Sequence, residues 1–583
     1  MPSNYKIHPA IGFARLGDSK DDFYLAPEQE AALPIECDEW GNPKINAKTK
    51  KPVPFTTFKD KENRVRRQAA KFSIYVYDDK NPEGRKLKIG DTIDGIGSSG
   101  VLLDIKWTTY LANKKSSWYQ FQQLEGSHGY SPTHPLRNKN ITNVDKRQKL
   151  IIDPGPQTIF GKRSSAEFAK GKNPAYAQTF PPKLHPHSIK TLGEIKTNDD
   201  HELIVLGGHG KSGSFKTKFG NPKIEAYANN EGWFDDTSDG PVTAFLAYQD
   251  TVDQQVRYLA IEDPSWVVVG YPSYAPEIAD MVTMNEVVND VAVKDFAYNP
   301  YLYGTGNFNQ PQTVAPEDLD AWRAEEKTYN PDYYPYFYKE LWPILQRPFK
   351  MWAVTSYIGQ SFQPHDTGPN GNFYETAIAT PPKNGEDPYA YMRQKIYMSL
   401  RRPGEENVFY RENDPQDFQF LKPLMPLLCG DNPITNDLPS KFLRLTDTML
   451  FLLRQWRDGK FINEKTADID TTKVEGADIP GKELDYGALS NSLGGSFCPG
   501  AELAWIIRNP AIFKKAYRIN ANLNYIPSQQ TDNVTATPGL NLYERPALSL
   551  NNSIDDGIEP GDLTKYSAMP WQSDFNECSS QPI

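Results

Sequence analysis

From residue 1 to about 290 the chain is a series of short runs rich in Val, Ile and Tyr, separated by turn residues: FSIYVYD (72–78), HELIVLGG (201–208), VTAFLAY (242–248) and SWVVVGYP (265–272). Runs of this length, alternating or loaded with β-branched and aromatic side chains, form strands. A chain that begins this way must bury a sheet, so the first half is expected to be β-rich. Residues 295 to 345 then crowd aromatic residues with Pro and Asn (YNPYLYGTGNFNQPQ, YNPDYYPYFYKELWP). This stretch is too apolar for a disordered linker and too irregular for one helix, and it reads as an ordered connector.

The second half changes character. In PSKFLRLTDTMLFLLRQWRDGKF (439–461), Leu445, Met449, Leu452, Leu453 and Trp456 fall at helical spacing, with Thr446 or Thr448 to cap the start and Gly459 to stop the end. GGSFCPGAELAWIIRNPAIFKKAYRI (494–519) places a Gly-rich turn ahead of a short helical pattern, with Pro499 in a first-turn position and Cys498 at the junction. At 583 residues the chain exceeds the roughly 250–300 at which single cores stop growing. The expected class is α+β: a β-rich N-terminal domain over 1–294, the connector over 295–345, and a mixed, partly helical C-terminal domain carrying the site over 346–583.

Several functions are disfavoured. The net charge is -10, from 64 basic and 74 acidic residues spread without long single-sign blocks, which argues against a surface that neutralises phosphates, so no nucleic acid is expected. The N-terminus lacks a basic segment followed by an apolar one, and no apolar run approaches ~18 residues. No membrane contact is expected, and the address implied is cytoplasmic or non-classically secreted. Cys37, Cys429, Cys498 and Cys578 include no CxxC pair, so neither a disulfide framework nor a zinc ribbon is expected. No phosphate-cradling loop and no metal-ligand histidine spacing occurs, so no nucleotide, flavin or metal is expected. GGHGKSGSF (207–215) follows a strand and reads as a tight turn or an anion site.

Seven stretches, in order, carry a resemblance: IHPAIGFARLGDSKDDFYLAPE (7–28), WTTYLANKKSSWYQF (107–121), LIIDPGPQTI (150–159), GWFDDTSDGPVTAFL (232–246), PSWVVVGYPSYAP (264–276), PLLCGDNPITNDLPSKFLRLT (426–446) and PGDLTKYSAMPWQSDFNEC (560–578). Together they resemble the LodA-like quinoproteins, the family of bacterial L-lysine ε-oxidase and glycine oxidase. The resemblance implies oxidative deamination of a primary amine of an L-amino acid with O2, giving an aldehyde or keto acid, ammonia and hydrogen peroxide. It implies a protein-derived cofactor, cysteine tryptophylquinone, in which a tryptophan is oxidised to an ortho-quinone and joined to a cysteine by a thioether. The tryptophan of the family's PWQ segment corresponds to Trp571. A flavoprotein maturation partner and a homo-oligomer are implied as well.

The thioether needs a thiolate-capable sulfur. Cys498 is the candidate, because a Gly-rich turn lets backbone approach an indole and a helix N-terminus stabilises a thiolate. Cys429 is a candidate for the same pocket, and Cys578 reads as structural. A second register puts Ser492 at the cross-linking position, where no thioether can form. The chain would then be a family member lacking the quinone, a cofactor-free biosynthetic enzyme or a binding protein. The family's catalytic aspartate precedes its cysteine, but GALSNSLGGSFC (487–498) has no carboxylate. Asp485 is the candidate base, with Glu483, Asp562 and Asp574 as further acids, and an active base would be desolvated with a raised pKa. Phe234 matches a family position near the substrate entrance and reads equally as a core aromatic. Tyr566, Lys565 and Gln572 are candidates to polarise the quinone carbonyls.

Overall fold

The computed structural model describes the chain apart from residues 1–2, 96–97, 123–129, 175, 217–221, 227, 273–279, 310–312, 351–366, 368, 370, 372, 410, 412–422, 429–440, 468–479, 495–502, 504–505, 527–546 and 574–583. It shows an α+β chain in two compact units, neither of them contiguous. The first comprises Met1–Pro276, Asp478–Asn491 and Ala501–Glu577; the second comprises Glu277–Ala477, Ser492–Gly500 and Cys578–Ile583. This partition differs from one drawn in order along the chain, because the segment carrying Trp571 belongs with the N-terminal strands.

The strands that position the site are β1 (Asn4–His8), β2 (Ile11–Arg15), β3 (Arg67–Asp78), β4 (Ser99–Thr109), β5 (Thr191–Thr197), β6 (Leu203–Gly207), β7 (Ser212–Ser214), β8 (Trp233–Asp235), β9 (Ser238–Asp250) and β10 (Ser265–Gly270). All four runs expected as strands lie in this set: 72–78 in β3, 201–208 around β6, 242–248 in β9 and 265–272 around β10. A 15-stranded sheet runs through β5-β6-β3-β2-β10-β9-β4. Pairing is parallel between β2 and β10 and antiparallel at the other steps of that path. A separate small sheet pairs β7 with β8, setting Gly213 opposite Phe234. β6 and β10 are buried along their whole length, as expected of central strands covered on both faces. In β9 a Cβ on Gly240 would lie 1.7 Å from the Tyr110 carbonyl oxygen, so only glycine allows this backbone approach.

The C-terminal segment is sewn into this sheet through Asp239. Its carboxylate accepts from the backbone N–H of Leu563 (3.2 Å) and Thr564 (2.7 Å), and from Trp266 Nε1 (3.0 Å). One apolar cluster, including Phe72, Trp107, Val205, Val242 and Val267, also contains Phe234, Tyr271 and Trp571. Trp571 is therefore part of the core of the first unit.

In the second unit, helix α1 (Met284–Asp295) begins with a capping box between Thr283 and Glu286. Helix α2 (Asp447–Arg457) is capped by Thr446, whose side chain accepts from Met449 N–H, and Met449, Leu452, Leu453 and Trp456 are buried. Gly459 follows with φ 75°, the left-handed conformation of a helix stop. Among the described residues of 295–345 the helical elements are short, among them Leu319–Ala324, Phe337–Leu341 and Trp342–Leu345. Helix α3 (Pro480–Ser490) belongs to the first unit. After it, the expected short helix is two 3-10 turns (Ile506–Arg508, Pro510–Ile512) and a hairpin, because Asn509 caps a new turn at Pro510. Among the described residues no helix is long and apolar enough to cross a membrane.

Candidate functional site

Trp571 is 6% exposed and held by its backbone: its N–H donates to Asp235 Oδ2 at 2.8 Å. Lys115 Nζ donates to the same oxygen at 2.5 Å. Asp235 Oδ1 accepts from Asn113 Nδ2 at 3.1 Å and from Thr237 Oγ1 at 2.7 Å. Both charges of the Lys115–Asp235 pair are fully buried. A buried pair of this kind holds only when the carboxylate's remaining lone pairs are hydrogen-bonded, as they are here. Burial pulls the Lys115 pKa down to about 8 against the attraction of Asp235.

The indole itself is flanked by Tyr271, with ring centroids 5.8 Å apart, and by the loop after β6. Gly210 there has φ 69°, and a Cβ on it would sit 3.7 Å from Trp571 Cζ2. Being a glycine, Gly210 places no side chain of its own against that edge of the six-membered ring. Gln572 Nε2 donates to Gly210 O at 3.5 Å. The tryptophan half of the implied cofactor thus fits its surroundings: the indole is buried, its main chain is held by Asp235, and a glycine faces its ring edge.

The same loop borders a second acid. Asp236 is 1% exposed, and a Cβ on Gly208 would lie 2.5 Å from Asp236 Oδ2. Burial pushes the Asp236 pKa up to about 7; the Lys211 backbone N–H opposes this and the Asp235 charge adds to it. Its Oδ1 has no hydrogen-bond partner among the described residues.

Behind Trp571, residues 559–569 rest on a buried charge network. Lys114 Nζ donates to Glu559 Oε2 (2.5 Å) and Asp562 Oδ1 (2.9 Å). Lys565 Nζ donates to Asp562 Oδ1 (2.8 Å) and lies 3.4 Å above the Trp118 ring. Arg137 donates to the carbonyls of Lys115 (3.2 Å) and Ser567 (2.8 Å), tying the two walls together.

The positions expected from the sequence fall out unevenly. Cys498, Cys429, Cys578 and Asp574 lie outside the described residues. Cys37 packs with Phe23 and Ile204 in a separate apolar cluster, and burial pushes its thiol up to about 12, which makes it inert. Ser492 is buried, and its carbonyl accepts from Met284 N–H at 2.7 Å. Asp485 does not show the raised pKa expected of a base. Its Oδ1 is 2.9 Å from His8 Nδ1 and accepts from Ala10 N–H at 2.5 Å. Burial alone would raise its pKa, but His8 and Arg518 outweigh it and hold the carboxyl below the usual range. Asp562 is likewise depressed by Lys114 and Lys565 against the effect of burial.

Phe234 is buried in the core cluster that contains Trp571. Tyr566 stacks on Tyr130, centroids 5.7 Å apart, and meets Trp118 edge-on. Lys565 is no solvated charge: it is 2% exposed, and burial pulls its pKa down to about 8. Asp235, Asp236, Lys115 and Tyr271 were not singled out from sequence. Their only signal was that each lies in a stretch carrying the family resemblance.

Comparison with known proteins places the chain in a family. Residues 8–269 match the model for the L-lysine epsilon oxidase N-terminal domain, and residues 426–583 match that for the L-lysine epsilon oxidase C-terminal domain. An L-lysine 6-oxidase of Marinomonas mediterranea is 30% identical over 99% of this chain and 71% of its own length. The crystal structure of the L-Lys epsilon-oxidase from that organism superposes with a TM-score of 0.72 at 27% identity, covering 98% of this chain and 75% of that one. The structure described as its Schiff base intermediate with L-Lys gives 0.71 at the same identity and coverage. With both domains matched in order and the similarity running nearly end to end, this chain belongs to the LodA-like family of L-lysine ε-oxidase relatives.

Proposed function

We propose that the chain is a quinoprotein amino-acid oxidase. It deaminates a primary amine of an L-amino acid, lysine-like or glycine-like, with O2, giving an aldehyde or keto acid, NH3 and H2O2. Its cofactor is cysteine tryptophylquinone, formed from Trp571 and Cys498 with the help of a maturation flavoprotein, in a homo-oligomer. The observation that carries this reading is the setting of Trp571: a buried indole whose main chain is clamped by a buried acid that a buried lysine neutralises. A merely structural tryptophan needs an apolar pocket and no such apparatus.

When formed, the group supplies an electrophilic carbonyl to a primary amine and takes up two electrons. The remaining work falls to ordinary side chains. Asp235 fixes the Trp571 main chain, Lys115 cancels the charge of Asp235, and the surrounding strands exclude water. Phe234, in the same cluster, forms an apolar wall of the pocket. A second reading, a family member without the quinone, is favoured by Ser492, which offers no thiol if it occupies the cross-linking position.

The test is peroxide and ammonia release in protein produced with a maturation flavoprotein, screened against L-lysine, glycine and other L-amino acids without added flavin. Stoichiometric peroxide and ammonia with one of them is expected. Silence across the screen would sink the oxidase reading and favour the second.

A further inference from the structure

The run GGHGKSGSF (207–215) reads from the sequence as a tight turn or an anion site, and the folded chain supplies the anion itself. Asp236 is 1% exposed, and its carboxylate accepts from the backbone N–H groups of His209 and Lys211. Between these two residues Gly210 takes a left-handed φ of 69°. A left-handed residue turns the N–H groups on either side of it toward one point, the concavity in which main chain binds an anion. The main chain of Asp236 closes the arrangement, its N–H donating to Lys211 O at 3.1 Å. Gly208 completes the fit, because a Cβ there would stand 2.5 Å from Asp236 Oδ2 and displace the carboxylate.

The loop held in this way faces Trp571. A Cβ on Gly210 would lie 3.7 Å from Trp571 Cζ2, and Gly210 O accepts from Gln572 Nε2 at 3.5 Å. Two consecutive acids thus serve two sides of one tryptophan. Asp235 accepts from its main-chain N–H, and Asp236 accepts from the main chain of the loop at its ring edge.

We propose that Asp236 is a positioning residue: its carboxylate is the internal anion of the loop after β6, and it fixes Gly210 against the Trp571 ring edge. The charge matters because an ionised acceptor holds an N–H about twice as strongly as a neutral one. When Asp236 gains a proton the loop bonds fall to neutral strength and Gly210 is released from the ring edge. Burial places that event near pH 7, the loop N–H groups opposing the rise and Asp235 adding to it.

The loosening is confined to the loop. A carboxyl whose pKa is higher in the folded chain than in the unfolded one binds its proton more tightly when folded. Acidification through pH 7 therefore does not weaken the fold through this group. Among the described residues the other charges near Asp236 are Asp235 and Lys115, which pair with each other, and His209 and Lys211 of the loop itself. Arg67 holds the start of the loop through Gly207 O at 3.1 Å and is paired with Glu194. Burial keeps His209 below its ordinary pKa and pulls Lys115 down to about 8, so both need separating from Asp236 by substitution.

Protein made without a maturation flavoprotein, its Trp571 shown by mass to be unmodified, gives two readings between about pH 5.5 and 8.5. The first is hydrogen exchange of the His209 and Lys211 amides, corrected for the intrinsic pH dependence of exchange, which should quicken at least 10-fold below about pH 7. The second is acrylamide quenching of Trp571, taken as the difference between wild type and Trp571→Phe, which should at least double over the same range. Asp236→Asn should show the fast, easily quenched state at every pH, and His209→Gln should keep the wild-type midpoint. Gly208→Ala, which displaces the carboxylate without changing any charge, should resemble Asp236→Asn. Readings that stay flat with pH in the wild type, or a midpoint that survives in Asp236→Asn, would overturn the proposal. The wild-type profile stands even if a variant does not fold. Both readings concern unmodified Trp571, so they are independent of the oxidase reading, whose failure is a separate result, absence of peroxide from matured protein.

Discussion

Replacing Trp571 with phenylalanine is expected to end peroxide formation while leaving the fold in place. The main-chain N–H that donates to Asp235 is kept in any non-proline variant, so the clamp survives. The change removes part of a buried ring from a large cluster, a cost of about 1–3 kcal/mol, which a unit of this size absorbs. The chemical effect is of another order. No standard side chain accepts two electrons from an amine, so the loss should reach the whole enzymatic acceleration, at least about 10⁶-fold. Circular dichroism and melting temperature check the fold, and the peroxide assay checks the activity. A variant with more than a trace of activity would mean that the redox group lies elsewhere.

The second large effect is expected at Lys115. Lys115→Met keeps the apolar stem but deletes the charge, leaving the fully buried Asp235 carboxyl with its amide and hydroxyl partners alone. Breaking a buried pair by removing one partner costs about 3–5 kcal/mol. The variant should also lose activity, because the oxygen that lost Lys115 is the one that positions Trp571. The double variant Lys115→Met with Asp235→Asn separates charge from shape. It removes both charges while an amide oxygen remains to accept the Trp571 N–H, so it should recover most of the stability. Equal stability of wild type and Lys115→Met in urea unfolding would show that the pair contributes nothing.

How much of this could be read in advance depends on whether the signal was local. Strand periodicity in FSIYVYD and SWVVVGYP, and the Thr446 cap and Gly459 stop of α2, are local and were realised. The return of residues 558–573 into the N-terminal sheet is not local, since Asp239 reaches Leu563 and Thr564 across more than 300 residues of chain. The fate of an acid is equally invisible. Asp485, Asp235 and Asp236 look alike as letters, yet one is paired with His8, one with Lys115, and one accepts from backbone N–H groups of the loop after β6. Desolvation and partner decide each, and both are properties of the folded pocket. The stretches that carried the family resemblance include Lys115, Asp235 and Tyr271, which surround Trp571. Within GWFDD, Phe234 packs in the core, while its neighbour Asp235 accepts from the Trp571 N–H.

The central claim is that Trp571 is converted chemically within this chain. It is tested most directly by the mass of the peptide containing Trp571, from protein produced with a maturation flavoprotein. The predicted result is a ring carrying two added oxygens, joined through a thioether to the peptide containing Cys498. An unmodified Trp571 peptide from such protein would contradict the account and leave the buried clamp around Trp571 as architecture alone.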